Sequence, residues 1–159
     1  MGHKTLVYKA KVTQNIDESL KHLKRLNNAF DELSKEYPLP FDQESYQSIL
    51  ISNQNLAYSD QIIYRFSKLQ DVMGAKLFKS LLLYQGENID RPFLDILNSL
   101  EKMDIIDVEE WFEIRDLRNE IAHDYEDSES MAIEILNNIY ELKQELENII
   151  NNIQKILKL

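Results

Sequence analysis

The sequence predicts an all-α bundle of five or six helices in a single domain spanning residues 1–159, with about the first eight residues expected to be disordered. Three observations carry that expectation. Apolar residues recur at three- and four-residue steps through most of the chain. Only 3 Gly and 3 Pro occur in 159 residues, well below the usual shares of about 7% and 5%, which excludes collagen-like, low-complexity and many-stranded β architectures. Hydrophobic residues make up 43% of the chain, enough to fill a real core at this length.

The first helix is marked by Ile16, Leu20, Leu23, Leu26 (or its neighbour Asn27), Phe30 and Leu33. It stops at Glu36-Tyr37-Pro38-Leu39-Pro40, because a residue before proline avoids helical angles. Asp42 offers an N-cap for the next helical stretch. From about Gln43 to Tyr84 there is no Pro, and Gly74 is the one Gly. That run exceeds an ordinary globular helix, and Ser52-Asn53-Gln54-Asn55 is the expected break. Mid-helix Gly74 costs about 1 kcal/mol against Ala, so a close helix–helix approach is expected there. Gln85-Gly86-Glu87-Asn88 ends the run, with Gly86 suited to a left-handed cap.

A shorter helix follows, with Asp90 as the expected N-cap, Pro92 in the first turn, and Phe93, Ile96, Leu97 and Leu100 as its apolar stripe. Asp107 and Glu110 make a capping box for a helix through Trp111, Ile114, Leu117 and Ile121. Glu126-Asp127-Ser128-Glu129 reads as an acidic turn. The last helix carries Ile133, Leu136, Ile139, Tyr140, Leu142, Leu146, Ile149, Ile150, Ile153 and Ile156 or Leu157.

Charge narrows the function classes. Lys and Arg number 18 against 28 Asp and Glu, a formal net charge of −10, which argues against a generic DNA binder or an anionic-membrane binder. A nucleic-acid enzyme with one small basic site stays compatible. Zero Cys excludes disulfides, thiolate metal sites and cysteine nucleophiles and suits a reducing cytosol. The segment Met1-Gly2-His3-Lys4-Thr5 lacks a signal-peptide core, and no window reaches 18 uninterrupted apolar residues. A cytoplasmic, soluble protein without a membrane span is therefore expected.

There is no Walker-type loop, GxSxG elbow or HExxH pair, and three histidines, His3, His22 and His123, are too few for a multi-histidine metal site. His22 stands among Lys21, Lys24 and Arg25 and is expected to be a solvated surface histidine. The acidic group Asp104, Asp107, Glu109, Glu110 and Glu113 complements a helix start rather than binding a metal. Around Arg65-Phe66-Ser67-Lys68-Leu69-Gln70-Asp71 a polar stripe holds Arg65, Lys68 and Asp71 or Gln70. An Arg65–Leu69–Val72 side would meet a neighbouring helix. Packing with a buried-edge ion pair is the plain expectation for this stripe, and support of a polar site on a neighbouring helix is the other.

The informative segment is Arg115-Asp116-Leu117-Arg118-Asn119-Glu120-Ile121-Ala122-His123-Asp124-Tyr125. On a helix with Arg118 at 0°, Ala122 falls near 40°, Arg115 near 60°, Asn119 near 100° and His123 near 140°. Two cations, an amide and an imidazole thus occupy one arc beside the core face of Ile114, Leu117 and Ile121. Such groups suit phosphodiester chemistry: arginine binds phosphate through two bonds and stabilises transition-state charge, and histidine moves a proton near neutral pH. A structural alternative has Arg115, Arg118 and His123 forming surface ion pairs with Asp116, Glu120 and Asp124. A single histidine is thin for a metal-free ribonuclease, and a symmetric dimer would supply two.

The run Arg118 to Tyr125 resembles the R-x-x-x-x-H-x-Y signature of the HEPN superfamily, in particular its HepT-like toxins. The resemblance implies a four-helix HEPN-like core, a homodimer with the motif at the dimer cleft, and a metal-independent endoribonuclease acting on tRNA or mRNA without a cofactor. It implies that Arg118 holds the scissile phosphate, His123 acts as acid or base and Asn119 assists; Arg115 is added from the helical arc as phosphate support. The implied partner is a minimal nucleotidyltransferase antitoxin that attaches AMP to Tyr125. The same group also includes non-catalytic nucleotide- or substrate-binding and antitoxin components, which keeps that role as the alternative.

Overall fold

The computed structural model describes residues 2–158. Helix α1 (His3–Ser34) is followed by α2 (Gln43–Ile51), α3 (Asn53–Val72), a π-helical turn (Met73–Leu77), α4 (Phe78–Tyr84), α5 (Phe93–Lys102), α6 (Val108–Asp124) and α7 (Glu129–Leu157). Because α3, the π turn and α4 run on without a break, the described residues form six helical rods and no strand. Helix α1 starts earlier than its apolar stripe and corrects the expected disorder: residues 3–8 are helical, although no side chain before Val12 is buried.

The stop and start signals act through identifiable hydrogen bonds. Asp42 accepts from the Ser45 amide, and Ser52 both ends α2 and caps α3 by accepting from the Asn55 amide. Gly86, at φ 83°, closes α4 with two bonds, Glu87 N to Leu82 O at 2.9 Å and Gly86 N to Leu83 O at 3.0 Å, which is the Schellman pattern. Ser128 caps α7 by accepting from the Met131 amide. One expected cap fails. Pro92, not Asp90, occupies the N-cap position of α5; the Asn88 side chain instead accepts from the Asp90 amide at 2.9 Å, and Arg91 Nε donates to the Asn88 carbonyl at 2.8 Å. This tight turn uses up the segment before the helix begins.

Four rods make the body: α1 packs along α3, α3 against α6, α6 against α7 and α7 against α1, with α3 and α7 also in contact. Helix α2 lies on α3 and α7, and α5 bridges α4 and α6. The core runs through Leu26, Phe30 and Leu33 of α1, Ile62, Phe66 and Leu69 of α3, Trp111 and Ile114 of α6, and Ile135, Ile139 and Ile150 of α7. The apolar stripe of α7 is spent on this core, with Tyr140 and Ile156 left exposed.

Gly74 gives the close approach its position predicted. A Cβ there would stand 3.2 Å from Trp111 Cζ2, and Trp111 packs edge-on against Phe78 at 4.7 Å. The glycine lies inside the π turn, so the one-residue bulge of α3–α4 and the seating of the α6 indole coincide. No helix among the described residues is long and apolar enough to cross a membrane.

Candidate functional site

Helix α6 begins under the control of Asp107, which accepts from the amides of Glu109 at 2.9 Å and Glu110 at 3.2 Å. Its neighbours in the acidic group have structural work of their own. Asp104 takes the left-handed conformation, φ 58°, that ends α5. Glu110 shares a hydrogen bond with Glu145, which raises its carboxyl above the ordinary range.

Trp111, Ile114 and Leu117 bury the inner face of α6, and the remaining side chains are fixed by that face. Arg118 lies at its edge and reaches across to α3. Its Nε donates to Asp71 Oδ1 at 3.1 Å and its Nη2 to Asp71 Oδ2 at 3.2 Å. The ion pair expected near residues 65–71 therefore exists, but Asp71 makes it with the motif arginine. Arg115, Asn119 and His123 are exposed on α6. The arc drawn from helical angles is correct in order, yet only Arg118 adjoins the core; Asn119 and His123 face outward, away from the apolar face.

Tyr125 is the C-cap residue of α6. Its hydroxyl turns inward and pairs with Ser59 Oγ at 3.1 Å, and Ser59 is fully buried. Burial pushes this phenol well above its ordinary range, Tyr46 nearby adds to the rise, and the Ser59 bond opposes it. A cavity of about 370 Å³ opens beside it, lined by Arg118, Tyr125, Asp71, Lys68, Tyr64, Ser67, Ile63, Asp60 and Glu126. Arg118 and Tyr125 thus share one pocket, while Arg115, Asn119 and His123 do not line it.

The pocket carries charges of both signs. Lys68 and Arg118, the latter bonded to Asp71, line it together with Asp60 and its neighbour Glu126. Burial raises the Asp60 carboxyl, and the neighbouring Glu126 charge raises it further. Asp60, Tyr64, Ser67 and Asp71 come from one face of α3, at steps of four, three and four. That spacing was the available sequence signal for the Tyr64 and Ser67 contribution.

On the opposite side of α3, His22 corrects the surface assignment. It is 5% exposed, with Nδ1 2.9 Å from Arg65 Nη1 and Nε2 3.8 Å from Glu18 Oε1. Burial lowers its pKa, and the Arg65 charge lowers it further against the opposing pull of Glu18. Among the described residues no group of three or more His, Asp and Glu could hold a metal ion.

Comparison with known proteins leaves the site to be argued from this geometry: no family model, no curated protein and no solved structure matches the chain.

Proposed function

We propose that the chain is a HepT-like HEPN toxin, a metal-independent endoribonuclease that acts on tRNA or mRNA as a homodimer. One observation carries the reading. The segment Arg118 to Tyr125 ends a late helix of an all-helical, four-rod body, with Arg118 and Tyr125 on one pocket and His123 exposed on the same helix.

The chemistry follows from the side chains. Asp71 takes two of the five N–H donors of Arg118, leaving a second edge of the guanidinium for a phosphate. His123 takes the proton of a ribose 2′-hydroxyl as the 2′-oxygen attacks phosphorus. The bond from phosphorus to the 5′-oxygen breaks, leaving a 2′,3′-cyclic phosphate, and the departing oxygen needs a proton. In a homodimer the second copy's His123 is a source of that proton. Asn119, one turn before His123, is suited to orient the ring or the substrate, and exposed Arg115 to hold a flanking phosphate.

Neutralisation by a minimal nucleotidyltransferase belongs to the same reading. AMP transfer to Tyr125 would require its hydroxyl to leave Ser59 and would put a bulky anion at the Arg118 pocket. A second reading, a non-catalytic nucleotide-binding subunit of such a nucleotidyltransferase, is favoured by the separation of His123 from that pocket within one chain.

Incubation of the purified protein with total tRNA and a generic single-stranded RNA in EDTA separates the two. Cleavage supports the ribonuclease. Its absence, with a folded dimer by gel filtration and unmodified Tyr125 by mass spectrometry, overturns the ribonuclease reading in favour of the binding subunit.

A further inference from the structure

Tyr64 is surplus to the core. Its neighbours on α3, Ile62 and Phe66, are fully buried, whereas Tyr64 is 48% exposed. Tyr140, the other tyrosine of comparable exposure among the described residues, packs edge-on against Phe30 at 5.3 Å. The Arg65 guanidinium carbon and Lys68 Nζ lie over the Tyr64 ring, 5.0 Å and 5.7 Å from its centroid, as Lys143 Nζ lies over Tyr140 at 5.2 Å. It lines the same cavity as Arg118. Ser67 Oγ, buried and without a hydrogen-bond partner, belongs to that cavity's lining residues as well.

Charge is spread unevenly along the chain. Residues 1–79 carry 11 Lys and Arg against 9 Asp and Glu, while residues 80–159 carry 7 against 19. Between residues 61 and 79 stand Arg65, Lys68, Lys76 and Lys79 against Asp71 alone, and Asp71 is engaged by Arg118. Of these cations Lys68 lines the pocket, beside Arg118, while Arg65 is bonded to His22 and Lys76 lies 3.9 Å from Glu18. An exposed aromatic face among cations is what an unstacked base and its flanking phosphates require.

We propose that Tyr64 is a base-stacking platform, with Lys68 on the adjoining phosphate, which seats the nucleotide next to the phosphate held by Arg118 and makes single-stranded RNA the substrate class. The proposal rests on the ribonuclease reading above and deepens it. Bases within a duplex stack on each other and offer no face to a tyrosine, so duplex RNA is excluded from this seat.

The test is fluorescence polarisation with a short fluorescein-labelled single-stranded RNA of mixed sequence. All proteins carry His123→Ala so that the probe is not consumed. Adding Tyr64→Ala weakens binding about tenfold, the loss of one stacked base, and Tyr64→Leu, which keeps apolar bulk without an aromatic face, behaves like Tyr64→Ala. Tyr64→Phe stays within about twofold, and the same sequence as a duplex binds at least about tenfold more weakly than the single strand. Equal binding by Tyr64→Ala and its parent, or equal binding of duplex and single strand, overturns the platform while RNA cleavage by the wild type still stands. Absence of RNA binding by the folded parent together with absence of cleavage by the wild type overturns the ribonuclease reading, and the platform with it.

Discussion

Arg118 of α6 and Asp71 of α3 form a two-bond ion pair, Nε to Oδ1 at 3.1 Å and Nη2 to Oδ2 at 3.2 Å, across the helix contact that lines the pocket. The carboxylate fixes one edge of the guanidinium and thereby aims the other. Asp71 is a positioning residue in this account. The side chains are 28% and 45% exposed, so the pair contributes less than about 1 kcal/mol to stability. Asp71→Asn is expected to leave the melting temperature nearly unchanged while lowering kcat about tenfold, with partial recovery in Asp71→Glu. A faster Asp71→Asn enzyme would mean that the carboxylate competes with phosphate rather than aiming the arginine.

The Tyr125–Ser59 pair joins the end of the motif to the start of α3 inside the protein. Tyr125→Phe leaves Ser59 Oγ buried without its partner, at a cost of about 1–3 kcal/mol. Urea unfolding should show that loss, and Ser59→Ala on top of Tyr125→Phe should restore part of it. Additive losses in the double variant would show that the two hydroxyls are not coupled.

His22 makes stability depend on pH with a defined sign. Its folded pKa lies below the ordinary 6.5, chiefly through burial and next through Arg65. The groups around it are Glu18 and Lys21 of α1 and Arg65 of α3, with Lys76 of the π turn 3.9 Å from the other Glu18 oxygen. The unfolded chain binds the proton more readily, so the stabilisation is complete above about pH 6.5 and is lost as pH falls toward the folded value. Melting curves between about pH 7 and pH 5 should fall more steeply for wild type than for His22→Asn. Parallel curves would remove His22 as the source.

A Cβ on Gly74 would stand 3.2 Å from Trp111 Cζ2, closer than ordinary van der Waals contact. Gly74→Val would drive branched atoms into a fully buried ring and destabilise by about 1–3 kcal/mol. Gly74→Ala gains up to about 1 kcal/mol of helix propensity against a smaller clash, and its melting temperature should stay near that of wild type. A stable Gly74→Val protein would show that the π turn is free to move away from α6.

What the sequence made legible was mostly local. Asp42, Ser52, Gly86 and Asp107 mark real helix ends because each acts through bonds within a few residues. Gly74 was legible because a helical glycine needs a packing reason. His22 was misread because Lys21, Lys24 and Arg25 surround it in sequence, although all three are exposed. The spacing of buried Ser19, His22, Leu26 and Ala29 was the better guide, since small residues on that line let α3 approach. Asp90 failed as a cap because the Asn88 turn precedes Pro92. Within the motif, helical angles ordered the side chains but could not show that Arg118 reaches Asp71 or that Tyr125 turns inward to Ser59, since both partners come from a helix about fifty or more residues earlier in the chain.

A role for His123 in moving a proton during RNA cleavage is read from single-turnover cleavage of one RNA in EDTA by wild type and His123→Ala at matched dimer concentration. A rate loss of about 10²-fold or more is expected, the contribution of general acid–base catalysis, with RNA binding and melting temperature retained. Cleavage by His123→Ala at the wild-type rate would contradict it.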